Sequence, residues 1–397
     1  MNIKTLKEIK SLKGKKILLR VDFNVPINAK NKIQDDSRIK ESLPTIKYLI
    51  ENEAKIIILS HLGRPEGKIV ESLKLDLVAK HLGKLLKKRV KKLNDTIGNE
   101  VEKEIGKMKN KDIIVLENVR FYPEEEKNDK KFSKELAQLA DFYVNDGFGV
   151  SHRAHSSTEG ITQYLPSFGG FLMEKEIINL SEITEKEAIR PFMMIFGGSK
   201  IDTKIGLLKK FINKCDYVFI GGALANTFLA AAGYNIGKSL YEENKIEIAR
   251  EIMLEFEKNH EKLILPHDVE VVDEISEKAV NINIPIQDVT DKMIIADVGK
   301  WTTEEVCLLI KKCGTVVWNG PLGICEYKPF QDATKDIANT IAETNCVSII
   351  GGGDTVDALK KVKANFKKYT HISTGGGACM EFLEGKILPG IKPLLKK

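Results

Sequence analysis

Short apolar runs of strand length recur along the chain, each broken by a polar or glycine-rich turn and most followed by a stretch of helical period. In the first half they are KILLRVD from Lys16, KIIILS from Lys55, and the runs at 112–116 and 142–145. In the second half they fall near 192–196, 216–220, 263–265, 293–297, 315–318, 347–350 and 369–373. Near-continuous apolar strands alternating with helical patterns predict an α/β chain whose parallel sheets are covered on both faces. DDSRIKESLPTIKYLIEN reads as a helix with Asp36 or Ser37 as N-cap and Arg38 in its first turn. Residues 156–190, with Pro166, Gly169, Gly170 and the helical FLMEKEIINLSEITEKEAI, form the expected domain connection.

The two halves share this architecture but not its chemistry. Strand ends in the first half carry cations: Arg20 before Asp22, Phe23 and Asn24; His61, Leu62, Gly63 and Arg64 after KIIILS; Arg120 after ENV; Arg153 between two histidines. Only eight arginines occur against a lysine-rich background, and five adjoin strand-like runs within the first 153 residues. Arginine offers a rigid fork for carboxylate or phosphate that lysine cannot copy. Taken singly, each is better explained by a surface ion pair, and Asp22 and Asn24 equally well by a polar strand end. Arg38 stands at the helix end that disfavours a cation, which points to a ligand.

Strand ends in the second half carry glycine. PFMMIFGGSKIDTKIG, from Pro191, reads as strand, turn and helix, with Lys200 and Lys204 predicted on one helix face. Gly221-Gly222, Gly351-Gly352-Gly353 and Gly375-Gly376-Gly377 follow further apolar runs. In a parallel sheet such loops converge on one crevice beyond the strands' carboxyl ends, where helix N-termini accept phosphate. Asp354 reads either as a helix N-cap or as a ligand of a phosphate-bound magnesium. Asn319 and Glu326 suit ribose or base edges, or simply a polar loop.

The composition narrows the class. A 397-residue chain has length for two or three domains, and a net charge of +6 dispersed among acidic residues does not indicate nucleic acid. With 42% apolar residues, no apolar run of membrane length and a basic N-terminus lacking a signal-peptide core, a cytoplasmic protein without membrane contact is expected. The six cysteines, all in the second half, lack zinc spacing and read as free, mostly buried thiols.

Together these stretches closely resemble phosphoglycerate kinases along essentially the whole chain. The motifs are RVDFNVP, DDSRI, SHLGRP, ENVRFYPEE, YVNDGFGVSHRAHSS, GGSKIDTKI, WNGPLGICE, IIGGGDT and HISTGGGACMEFLEGKILPGI. The resemblance implies two Rossmann-like domains joined by a hinge. The first, residues 1–170 with the tail 388–397, would bind 3-phosphoglycerate; 171–190 would be the linker helix, and 191–387 would bind nucleotide. The implied reaction is reversible phosphoryl transfer from 1,3-bisphosphoglycerate to ADP, with Mg2+ and a monomeric enzyme. By the same likeness Asp22 and Asn24 would hold the glycerate hydroxyl beside Phe23, and His61, Leu62, Gly63, Arg64, Arg120 and Arg153 would surround the 3-phosphate. Arg38 would face the reacting carboxyl group and Lys200 would follow the phosphoryl group. Gly353 and Gly376 would offer N–H groups to it. Lys204, Gly221, Gly222, Asn319, Pro321, Glu326, Gly352 and Thr355 would bind nucleotide, and Asp354 its magnesium.

Three positions depart from the family pattern: Lys300 replaces a proline, Gly147 stands where alanine is common, and His267 where a small or apolar residue is usual. None touches the charged constellation, so they bear on nucleotide preference or loop rigidity. The chemistry agrees with the resemblance, because a carboxylate nucleophile is ionised near neutral pH and needs no general base. What it needs is alignment and charge neutralisation, with the two ligands brought together by hinge closure. A two-domain anion-binding protein would take one ligand and usually carry an export signal. A Rossmann dehydrogenase would need GxGxxG after a strand, which no glycine run here supplies.

Overall fold

Alternation of side chains along each strand decides the first sheet. In the computed structural model, which describes residues 1–184, 188–202, 204–212, 214–259 and 262–396, Ile17, Leu19, Ile56, Ile58, Ile113 and Val115 share one apolar cluster. Their neighbours Leu18, Ile57, Leu59 and Ile114 enter another. Strands buried on both faces in this way read as unbroken apolar runs. The strands are β1 (Lys16–Arg20), β2 (Lys55–Leu59), β3 (Lys91–Lys92), β4 (Ile113–Val115), β5 (Phe142–Asn145) and β6 (Ser167–Gly169). They pair in parallel in the order β3-β4-β2-β1-β5-β6. The order reverses between β1 and β5, so the ligand crevice of this sheet is expected outside the carboxyl ends of those two strands.

The chain divides into two compact units, Met1–Ser181 with Gly385–Lys397, and Glu182–Glu384. The tail belongs to the first through specific bonds: Gly390 N–H donates to Ser151 O (2.8 Å), Asn145 Nδ2 to Gly390 O (3.0 Å) and Lys4 N–H to Leu394 O (2.8 Å). The division falls inside the helix Phe171–Thr184. That helix starts on Asp146, whose Oδ1 accepts the N–H groups of Leu172 (2.9 Å) and Met173 (3.3 Å).

The second unit holds β7 (Phe192–Phe196), β8 (Tyr217–Ile220), β9 (Lys262–Ile264), β10 (Asp268–Val272), β11 (Ile282–Pro285), β12 (Ile294–Val298), β13 (Thr315–Asn319), β14 (Val347–Gly351) and β15 (His371–Ile372). Six of them form a parallel sheet in the order β15-β14-β13-β7-β8-β9, with every residue of β7 and β13 buried. The run near 293–297 departs from expectation. As β12 it pairs antiparallel with β10 in a separate sheet ordered β11-β10-β12. A buried strand reads the same in either sheet, and only its long-range partner decides.

None of the described cysteines forms a disulfide, and all but the half-buried Cys307 are buried. Among the described residues no helix is long and apolar enough to cross a membrane.

Candidate active site

In the first unit, four of the strand-end cations meet at the carboxyl edge. His61 is 2% exposed, and burial, then Arg20, Arg120, Arg38 and Arg153, hold its pKa well below the usual value, so the ring stays neutral. The same surroundings push His155 down to about 3, and burial, then Arg20 and Arg153, bring Arg120 down to about 10. So much mutually repelling charge in a partly dry site is stable only against anions.

The acidic groups here are few and engaged. Arg38 Nη1 donates to Asp22 Oδ2 at 2.5 Å, with the arginine side chain one-third exposed and Asp22 buried. Asp22 Oδ1 accepts Asn24 N–H (3.2 Å), and Asn24 Oδ1 accepts Gly63 N–H (2.8 Å), so the loops after β1 and β2 lock together. Gly63 sits at φ +65°, and a Cβ there would fall 2.7 Å from Leu73 Cδ2, so glycine is required. Arg120 Nη1 donates to Gly63 O (2.9 Å), and its Nε lies 3.2 Å from Glu126 Oε1. Phe23 and Leu62 belong to the apolar core, so neither offers its side chain to a ligand. Arg64 is exposed and makes no hydrogen bond or ion pair with the described residues of the cluster. As predicted, Arg38 opens the helix Ser37–Glu51. Asp36 holds the cap position without capping, its side chain bonded instead to His81 (2.9 Å) and Lys40 (2.8 Å).

Glycine loops build the edge of the second unit. Gly198 N–H donates to Pro321 O (2.7 Å), Gly222 N–H to Leu322 O (2.9 Å) and Leu224 N–H to Gly198 O (2.7 Å), joining the turns after β7, β8 and β13. A Cβ on Gly197 would stand 2.1 Å from Pro321 O, so the backbones approach only because no side chain intervenes. Sheet order reverses between β7 and β13, which places these turns at the switch point. Beside them lies a cavity of about 540 Å³, lined by Gly198, Gly222, Asn226, Leu240, Pro321, Glu326 and Asp354 among others and mostly apolar. Such a volume suits a base and sugar.

The lysine pair does not lie on a helix face as the spacing predicts. The helix begins at Ile205, with Lys204 at its N-cap and Lys200 exposed in the preceding loop. Ile201 N–H, in that loop, donates to Glu242 Oε2 (2.5 Å), a bond across 41 residues. Lys204 Nζ donates to Asn319 Oδ1, and Asn319 Nδ2 to Gly351 O (2.8 Å). Burial lowers the Lys204 pKa to about 8, against the pull of nearby Asp354. Thr355 is buried, its hydroxyl bonding Gly351 O (2.7 Å) and Gly320 N–H (2.6 Å), so it shapes the turn.

Helix Gly353–Lys361 is capped by Gly352 with no side-chain bond, so Asp354, in its first turn, is not the cap. A Cβ added at Gly353 or Gly376 would meet nothing within 4 Å, so both helix starts border open space. Glu326 is exposed, 3.9 Å from Lys361. No cluster of three or more acidic, histidine or cysteine ligands exists among the described residues. The Asp354 carboxylate, in the first turn of a helix whose start borders open space, fits a magnesium carried in on phosphate oxygens.

Residue reading left three contributors unassigned. Asn118 ties two loops by donating to Leu62 O (2.8 Å) and Leu73 O (2.9 Å) while accepting Arg120 N–H (3.1 Å). Arg20, within the cluster, and Glu125 are both fully buried. The ENVRFYPEE motif contains Asn118 and Glu125, but only contacts distant in sequence reveal their work.

A family model described as phosphoglycerate kinase matches residues 6–386. The chain is 52% identical over 387 residues to the phosphoglycerate kinase of Dictyoglomus turgidum, covering 97% of each. It is 47% identical over 394 residues to that of Pelotomaculum thermopropionicum, covering 99% of each. Its fold is similar to the structure of phosphoglycerate kinase from Coxiella burnetii, with a TM-score of 0.87, 39% identity and 99% of each chain covered. Strand-end arginines, interlocked glycine turns and whole-length similarity thus lead to one statement: the chain belongs to the phosphoglycerate kinase family.

Proposed function

We propose that this protein catalyses reversible phosphoryl transfer from 1,3-bisphosphoglycerate to ADP, giving 3-phosphoglycerate and ATP. The observation that carries the reading is the gathering of Arg20, Arg38, Arg120 and Arg153 around a neutral, buried His61. In this reading Asp22 and Asn24 bind the glycerate hydroxyl, and His61, Arg64, Arg120 and Arg153 bind the 3-phosphate. Arg38 leaves Asp22 to meet the reacting carboxylate.

In the second unit Lys204 and the turn N–H groups of Gly352, Gly353 and Thr355 hold the nucleotide phosphates. Gly221, Gly222, Asn319 and Pro321 frame the nucleoside, and Glu326 bonds ribose. Lys200 follows the transferred group, with Gly353 and Gly376 N–H directed at its oxygens. Asp354 would hold the magnesium of the nucleotide, which supplies charge neutralisation. Transfer requires both ligands to meet in line, so hinge closure belongs to the mechanism. We place the enzyme in the cytoplasm as a monomer.

A coupled assay for ATP formation from 1,3-bisphosphoglycerate and MgADP tests the reading. Turnover in the usual kinase range of about 1–100 per second or faster supports it, and absence of ATP above the enzyme-free control removes it.

A further inference from the structure

Behind the arginine cluster lies a carboxylate for which the transfer itself has no use. Glu125, in the short helix Pro123–Glu126, is 0% exposed. Its Oε2 accepts Ser157 N–H (2.9 Å) and its Oε1 accepts the Ser157 hydroxyl proton (2.5 Å). With its O–H donated to Glu125, the Ser157 oxygen has only lone pairs to offer, and Arg20 Nε donates to it at 2.8 Å. The far side of the guanidinium donates through Nη1 to Val21 O and places Nη2 3.5 Å from His61 Nδ1. A guanidinium has donors only, so the imidazole nitrogen facing it carries a lone pair and the ring proton sits on Nε2. Asp22 Oδ1 is farther from Nδ1, at 3.9 Å, and already takes Asn24 N–H.

We propose that Glu125 is a positioning residue which, through Ser157 and Arg20, fixes His61 as the Nε2–H tautomer, an uncharged donor for an anionic oxygen of the substrate. The choice of substrate rests on the function proposed above. The relay explains why a carboxyl group is kept in a dry site. The two Ser157 donors reach two separate oxygens, and a carboxylate offers an acceptor at each. Arg20 and Arg120 oppose the burial that raises the Glu125 pKa. A neutral ring is also the form that can join four arginines without adding to their repulsion.

The experiment records 15N NMR of the histidine rings in ligand-free whole enzyme, together with KM for 3-phosphoglycerate and for MgATP, in wild type, Glu125→Gln and Ser157→Ala. Glutamine supplies one acceptor where two are needed. Ser157→Ala retains the backbone bond to Glu125 and so guards against a folding failure of the first variant. The expected result is a His61 spectrum moving from one Nε2–H tautomer to a mixture. KM for 3-phosphoglycerate should rise about tenfold, as for a lost hydrogen bond to a charged group, with KM for MgATP within about twofold. A His61 spectrum unchanged in both folded variants, or KM values rising together for both substrates, overturns the proposal. The ligand-free spectrum judges Glu125 alone. Wild-type turnover judges the function, so either can fail without the other.

Discussion

Arg38 and Asp22 form a 2.5 Å ion pair in which the cation is one-third exposed and the carboxylate buried. Asp22 also holds the backbone of its own loop through Asn24 N–H. The arginine is therefore the mobile partner, free to exchange one carboxylate for another when a substrate enters.

Arg38→Ala should lower kcat by roughly 10²–10³-fold, the usual loss when a preorganised donor to developing charge is removed. KM for the nucleotide should stay nearly unchanged, because every proposed nucleotide contact lies in the other unit. Steady-state kinetics with both substrates varied decides it, and unchanged turnover would take Arg38 out of the mechanism.

Gly197→Ala should destabilise the second unit by about 2 kcal/mol or more, since its Cβ would meet the Pro321 carbonyl at 2.1 Å and backbone must move. Gly353→Ala, with nothing within 4 Å of its Cβ, should leave the melting temperature close to wild type. Thermal melts of the pair make the comparison, and equal Tm values would contradict the packing described.

With its pKa at about 8, Lys204 loses its ammonium charge as pH rises through that value. KM for MgADP should therefore climb between pH 7 and 9.5. Lys204→Arg, charged throughout, should have a flatter profile. Parallel profiles would mean that this lysine does not govern nucleotide affinity.

Burial raises the Asp146 pKa to about 7, against hydrogen bonds from Thr45, Met173 and Leu172. An unfolded aspartate titrates near 3.9, roughly three units lower. The native state thus binds the extra proton over that interval, and its contribution to stability, complete below about pH 4, is lost as pH rises through 7. Asp146→Asn keeps an acceptor for the two helix N–H groups without the titration. Urea unfolding should show the variant gaining on wild type from pH 5 to 8, and a constant difference would refute the assignment.

Much of the fold was legible because a doubly covered strand leaves a local signature, as in KIIIL and FMMIF. The cation edge was legible too, since strand direction alone sends Arg20, His61, Arg120 and Arg153 to the same end. What escaped depends on distant partners. β12 differs from a parallel strand only in pairing with β10. Lys200 stays in the loop before its predicted helix, where the next N–H, of Ile201, is held by Glu242 from 41 residues away. Among the family departures, Lys300 acquires a rationale in three dimensions, since its N–H, which proline lacks, donates to Asn283 Oδ1 at 2.8 Å.

Residues 385–397 complete the unit that residues 1–181 begin. During synthesis, then, residues 1–181 cannot make all their contacts until residues 385–397 have followed the whole second unit. The middle of the chain carries its own sheet and is able to settle first. Order of synthesis and order of completion are thereby reversed, and a nascent chain halted before Gly390 leaves Asn145 and Ser151 waiting for the bonds that close the arginine-bearing loop.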